Sequence, residues 1–162
     1  MRKVIFLDVD GVLNSRETRD RCPSGYRGVD SRNIQNLKDI IDETQAEIVL
    51  SSDWRYGWNL EESRDSRIPS FSPDAEYLNK RLKEFGLKIS DKTMETGCYN
   101  YRGYEITEYL ENHKDTDTWV ILDDIMFEDF YNYRLTSRVI QTNDCTGLTK
   151  QDAKRAIRLL NS

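Results

Sequence analysis

The run Val4-Ile5-Phe6-Leu7-Asp8-Val9-Asp10-Gly11 constrains this chain more than any other stretch. Four large apolar residues in a row, with no polar alternation, predict a strand over residues 3 to 9 that is covered on both faces, as in a parallel sheet. Ligands of such sheets bind beyond the carboxyl ends of the strands, which is where Asp8 and Asp10 fall. Side chains alternate along a strand, so the two acids share a face and converge on one point unless the chain bends sharply after Asp8. Carboxylates that close repel each other unless a cation or a proton comes between them.

Three further runs share this character: residues 46 to 51, 118 to 123 and 138 to 142. Leu87-Lys88-Ile89 is a fifth, shorter candidate. Helical spacing separates them. Ile34, Leu37, Ile40 and Ile41 follow a cap at Asp30 or Ser31. Leu78, Leu82 and Phe85 follow Ser72-Pro73-Asp74 and stop at Gly86. Ile106, Tyr109 and Leu110 mark a third helix, and Ala153, Ala156, Ile157 and Leu160 a fourth, capped by Thr149. Alternating strands and helices predict an α/β fold of three layers, a Rossmann-like parallel sheet with helices on both faces. Residues 14 to 29 and 54 to 73 are polar and broken by glycine and proline, so both are expected as loops at the functional edge. The 162 residues fit one domain, 1–162, with no repeat or linker.

Composition narrows the chemistry. With 24 basic and 29 acidic residues the net charge is -5, which argues against a highly basic nucleic-acid sleeve. No stretch reaches the length of a membrane span, and the start runs straight into a strand, so no membrane partner and a cytoplasmic location are expected. Cys22, Cys98 and Cys145 are widely spaced and His113 is the one histidine, in a polar stretch that reads as a helix end. Zinc ligation, a disulfide frame and a histidine-activated nucleophile are therefore disfavoured. The chemistry must run on carboxylates, hydroxyls and cations.

Those groups gather at the same edge. The second strand closes on Leu50-Ser51-Ser52-Asp53-Trp54-Arg55, offering hydroxyls and free backbone N–H groups to an anion. The third helix starts with Arg102-Gly103-Tyr104-Glu105-Ile106, and the strand at 118 closes on Asp123-Asp124. Four acids, a hydroxyl pair and a cation converge if the sheet is parallel, a set that suits magnesium and a phosphate ester.

In this order of motifs the chain resembles the haloacid dehalogenase (HAD) superfamily of aspartate-nucleophile phosphotransferases. Ser51-Ser52-Asp53-Trp54-Arg55, Arg102-Gly103-x-Glu105-Ile106 and Gln141-Thr142-x4-Gly147-Leu148-Thr149 resemble the small HAD domains of Swiss-Army-knife RNA repair proteins. The resemblance implies a Mg2+-dependent phosphatase, a phosphoric monoester hydrolase with an aspartyl-phosphate intermediate. Its catalytic residues would be Asp8 as nucleophile, Asp10 as acid and base, Ser51 for the phosphoryl oxygens and Arg102 for the transition-state charge. Asp8, Asp123, Asp124 and the backbone carbonyl of Asp10 would hold the metal. Gly11, Ser52, Trp54 and Arg55 would contact substrate, and Ser51 and Ser52 compete for the hydroxyl role.

Neither loop is long enough for a large cap domain, so an open site is expected, suited to a phosphorylated small molecule or a nucleic-acid end. Arg16, Arg19, Arg21 and Arg27 in the first loop and Arg55, Arg64 and Arg67 in the second offer modest positive charge. Tyr56, Tyr99, Tyr101, Tyr104, Trp54 and Trp58 could stack on bases, although packing in the core and rim accounts for them equally well. No residue pattern names a protein partner. A receiver-like module, which also uses an aspartyl-phosphate, would carry its adjacent acids after the first strand and its acceptor at a position such as Asp53. A catalytically idle phosphate-binding module would have lost some of these polar groups.

Overall fold

The computed structural model describes residues 1–58 and 71–162. In it the first apolar run forms β1 (Arg2–Leu7), flanked on one side by β2 (Glu47–Leu50) and β3 (Ile89–Lys92) and on the other by β4 (Thr116–Asp123) and β5 (Val139–Gln141). All pairings are parallel, in the order β3-β2-β1-β4-β5. Among the described residues four α-helices lie between successive strands, α1 (Ser31–Thr44), α2 (Pro73–Lys83), α3 (Arg102–Asn112) and α4 (Glu128–Asn132), and α5 (Lys150–Leu160) follows β5.

Alternation along the strands sorts the side chains into two cores. Ile5, Leu7, Ile48, Leu50, Val120 and Leu122 face α1, α2 and α5, meeting Ile34, Leu37, Leu78, Leu82, Ala153 and Ala156. Val4, Phe6, Val49 and Ile121 face α3 and α4, meeting Ile106, Tyr109 and Phe130. Three layers result, as the sequence pattern predicts, with no large cap domain among the described residues. None of the described helices is long and apolar enough to cross a membrane.

Local signals account for most of the boundaries. Of the two cap candidates for α1, Asp30 is the one used, its carboxylate accepting from the Arg32 amide. Ser72 caps α2 with Pro73 in the first turn, and Thr149 and Asp152 form a reciprocal capping box on α5. His113 closes α3, its ring stacked on Tyr109.

Three features depart from the sequence reading. The expected strand at 87–89 lies later, at Ile89–Lys92, because Leu87 is still engaged with the end of α2, its amide bonding to Leu82 O at 3.0 Å. As an edge strand paired only to β2, β3 tolerates the polar Ser90-Asp91-Lys92, which carry no apolar run. The short α4 was not anticipated. Residues 14 to 29 are more ordered than a plain loop: Arg21 and Arg27 pair as an antiparallel bridge around a tight turn at Cys22–Gly25. The second expected loop starts as a 3-10 turn (Asp53–Gly57), and its portion 59–70, with Arg64, Arg67 and Pro69, lies outside the described residues.

Phe6 is fully buried between Tyr109 and Trp119. Phe6→Ala is expected to lower unfolding free energy by about 3–5 kcal/mol. Thr149→Ala, which removes a cap, is expected to cost only about 1 kcal/mol. Urea titration of both variants checks the difference.

Candidate active site

Strand register builds the site. Leu7 lies opposite Leu50 on β2 and Leu122 on β4. The next residue on each strand is therefore Asp8, Ser51 or Asp123, all at one level of the sheet. The ladder runs on to that level, with the Asp8 amide bonding to Leu122 O at 2.9 Å and the Ser51 amide to Leu7 O at 3.0 Å. Leu7, Leu50 and Leu122 face α1, α2 and α5, so their successors turn to the opposite face, where the first turn of α3 arrives with Arg102.

Arg102 Nη1 lies 3.0 Å from Asp123 Oδ2 and 3.5 Å from Asp8 Oδ1, and Nη2 lies 3.7 Å from Asp53 Oδ1. Its guanidinium also sits 4.9 Å from the centre of the Phe127 ring. Asp8, Asp123 and Asp124 each offer a carboxylate oxygen, all within 4.8 Å of one another. The approach of Asp124 depends on Gly11, whose φ of +78° favours glycine and whose missing Cβ would overlap the Asp124 side chain. Gly11, expected as a substrate contact, thus has a structural reason to be glycine.

Asp10 does not join the carboxylate cluster, because β1 ends at Leu7 and the chain turns, with the amides of Val12 and Leu13 both bonding to Val9 O. Its carboxylate accepts instead from Asn14 Nδ2 at 3.0 Å and from the indole N–H of Trp54 at 3.2 Å. Asn14 is fully buried and locks the turn, accepting from the Gly11 amide at 2.8 Å and donating to Gly28 O at 2.8 Å. Trp54, expected as a substrate contact, is thus placed beside Asp10, together with Asn14, which the sequence pattern does not single out. Its signal in the sequence was an amide four residues after an acid in a glycine turn.

The two serines separate clearly. Ser51 is fully buried and its hydroxyl has no partner among the described residues. Ser52 Oγ accepts from the Trp54 amide, capping the 3-10 turn. Arg55 corrects an expectation: it is 1 % exposed, paired with Glu105 and donating to the carbonyls of Ser51 and Ser52. A guanidinium committed in this way cannot also meet substrate. It fixes the end of β2 against α3, and Asp129 fixes the start of α3 by accepting from the Tyr104 amide at 2.9 Å. Glu105 and Asp129 were not singled out for any role, since only the fold reveals their partners. Of the other cations, Arg16 and Arg27 both pair with Asp144.

Burial dominates the electrostatics. Removal from water, only partly offset by Arg102, pushes the Asp123 carboxyl up to about 7. Desolvation and the neighbouring Asp123 raise Asp8 well above the ordinary carboxylate range. Desolvation raises Asp124 too. A hard dication fits this set: the donors are all oxygen, two of the three acids are buried, and the Ser51 hydroxyl, without a partner among the described residues, lies at the same level of the sheet. Asp8, Asp123 and Asp124 are the residues that would hold it.

A family model described as the HAD domain in Swiss Army Knife RNA repair proteins matches residues 4–153. No curated protein matches the chain.

Three outcomes follow from this geometry. An acid whose pKa is higher in the folded than in the unfolded protein adds stability below its unfolded value and loses it as pH climbs through the folded one. Without metal the protein is expected to lose stability between about pH 4 and about pH 7. Mg2+ favours the ionised acids, so its gain in Tm is expected to be larger at about pH 8 than at about pH 6, read by differential scanning fluorimetry. Arg55→Ala leaves Glu105 buried and uncompensated and is expected to cost about 3–5 kcal/mol in denaturant titration.

Proposed function

Because the chain belongs to the family of HAD domains in Swiss Army Knife RNA repair proteins, we propose that residues 1–162 act as a single cytoplasmic catalytic domain, a Mg2+-dependent phosphomonoester hydrolase. The observation that carries this reading is the buried Asp8 carboxylate, 3.5 Å from a guanidinium and clustered with Asp123 and Asp124. Its substrate is a phosphorylated small molecule or a nucleic-acid end.

An oxygen of Asp8 attacks phosphorus in line, and the bond from phosphorus to the ester oxygen breaks, leaving an aspartyl-phosphate. Asp10 gives its proton to the departing oxygen. Water then attacks the phosphorus of the aspartyl-phosphate, the bond to Asp8 breaks, and the water proton returns to Asp10, so alcohol and inorganic phosphate are released and both acids are restored. Asn14 and Trp54 support this shuttle by holding the Asp10 carboxylate at 3.0 and 3.2 Å, outside the metal-binding cluster. Arg102 and the Ser51 hydroxyl stabilise the equatorial oxygens of a loose transition state, and the backbone N–H groups after Ser51 extend the same cradle. A divalent cation held by Asp8, Asp123 and Asp124 supplies positive charge that lets an anionic nucleophile approach an anionic ester.

With Mg2+ the protein is expected to hydrolyse p-nitrophenyl phosphate. Asp8→Asn or removal of Mg2+ by chelation should each lower kcat by about 10³-fold or more, and Asp10→Asn by about 10²–10⁴-fold. Turnover that survives Asp8→Asn would overturn the assignment.

A further inference from the structure

Asp10 protonates the departing oxygen in the reading above, so the leaving group must lie on the Asp10 side of the phosphorus. A cavity of about 780 Å3 opens there, with Asp10 in its wall beside Arg21, Tyr26, Arg27, Asp53 and Trp54. That volume is within the range of pockets that enclose an organic ligand.

Its walls are fixed before any ligand enters. The hairpin that carries Arg21, Tyr26 and Arg27 is closed by the Cys22 amide bonding to Tyr26 O at 3.0 Å and the Gly25 amide to Cys22 O at 2.8 Å. Ser24 ties its tip to α2, the amide donating to Asp74 Oδ1 at 3.0 Å and the hydroxyl to the same carboxylate. The Tyr77 hydroxyl fixes its base, accepting from the Val29 amide at 3.0 Å and donating to Asp20. Opposite, Trp54 is held through its indole N–H by Asp10 itself.

The groups left over describe the guest. Tyr26 is 76 % exposed, a large ring with little of its surface covered. Arg27 is engaged by Asp144 at 2.9 Å, Asp74 by Ser24, and Asp53 faces Arg102. Arg21 is exposed and makes no ion pair among the described residues. A plain sugar or short alkyl alcohol would leave the exposed Tyr26 ring and this cation without a partner. A leaving group with a planar ring and a second anionic group would engage both, with Trp54 at the opposite wall.

We propose that this cavity is a leaving-group subsite for a nucleotide that carries a phosphate besides the one removed, with Tyr26 and Trp54 against the base and Arg21 on the retained phosphate. The proposal rests on the phosphatase reading. Its chemistry has two sources, a free nucleoside bisphosphate and the phosphorylated end of an oligonucleotide.

The test is kcat/KM of the full chain with Mg2+ on adenosine 5′-monophosphate, adenosine 3′,5′-bisphosphate and a short 5′-phosphorylated oligoribonucleotide, with p-nitrophenyl phosphate as reference. The bisphosphate, the oligonucleotide or both should exceed the monophosphate by about tenfold or more, and the larger of the two identifies the source. Arg21→Ala should bring that ratio to within about twofold of unity, and Arg21→Lys should keep part of it. A wild-type ratio near one for both, or a ratio untouched by Arg21→Ala, overturns the proposal while Asp8-dependent turnover of the aryl phosphate leaves the phosphatase reading standing. A second measurement needs no turnover. Calorimetric titration of adenosine 3′,5′-bisphosphate into Asp8→Asn should show binding that Arg21→Ala weakens about tenfold, and equal binding by the two proteins overturns the subsite.

Discussion

The alignment of Leu7 with Leu50 and Leu122 is the constraint on which the rest of the molecule depends. A slip of one residue would send Asp8 to the apolar face against α1, α2 and α5, stranding a charge where no partner waits. The apolar residues of β1 do not themselves enforce this, because both faces of the strand are buried and apolar. Its polar ends do. At one end Arg2 reaches Glu47 on β2 at 3.0 Å, Asp115 before β4 at 3.1 Å and the Tyr109 hydroxyl on α3 at 3.1 Å. At the other, Asp8 meets Arg102. A buried strand between two charged anchors has one register in which both ends are satisfied.

Concentrating acids at one end of a sheet costs stability through desolvation and mutual repulsion, and α3 carries the answer to both. Arg102 stands among the carboxylates, and one turn later Glu105 takes the buried Arg55. The same helix start thus brings a cation to the site and an acid to the scaffold, so the position of the first is set by the pairing of the second. Buried ion pairs of this kind contribute little net stability against an apolar alternative, yet losing one partner is severe. Their effect here is geometric: Arg55 grips the carbonyls of Ser51 and Ser52 and so fixes the end of β2, where the Ser51 hydroxyl has no partner among the described residues.

The layers and the central strands were legible because their cause is local, an unbroken apolar run between helical repeats with capping residues. Asp8, Ser51, Arg102, Asp123 and Asp124 were legible for the same reason, as polar residues placed where strands end or a helix begins. What escaped was decided at long range. Nothing in the neighbourhood of Arg55 marks it as buried, since its partner Glu105 lies 50 residues away. β3 was misplaced because an edge strand buries too little to need an apolar signature. The bend after Asp8 was an open alternative in the sequence, settled by Gly11, Asn14 and the approach of Asp124.

That bend gives two neighbouring acids different surroundings from one stretch of chain. Asp8 is 8 % exposed and shares its space with other carboxylates and Arg102, while Asp10 is exposed and held by an amide and an indole N–H. The proposed chemistry, with one carboxylate as a nucleophile and another as a proton carrier, is served by such a separation of environments. It also makes the site two-sided. In the proposed reaction the phosphoryl group would lie with the buried charges at the ends of β1, β2 and β4, and the leaving group in the open cavity between the hairpin and Trp54. Rigid strand ends hold the side where chemistry is common to any phosphate ester. The side that must distinguish one alcohol from another is built from loop residues, where a change in sequence leaves the register of the sheet untouched.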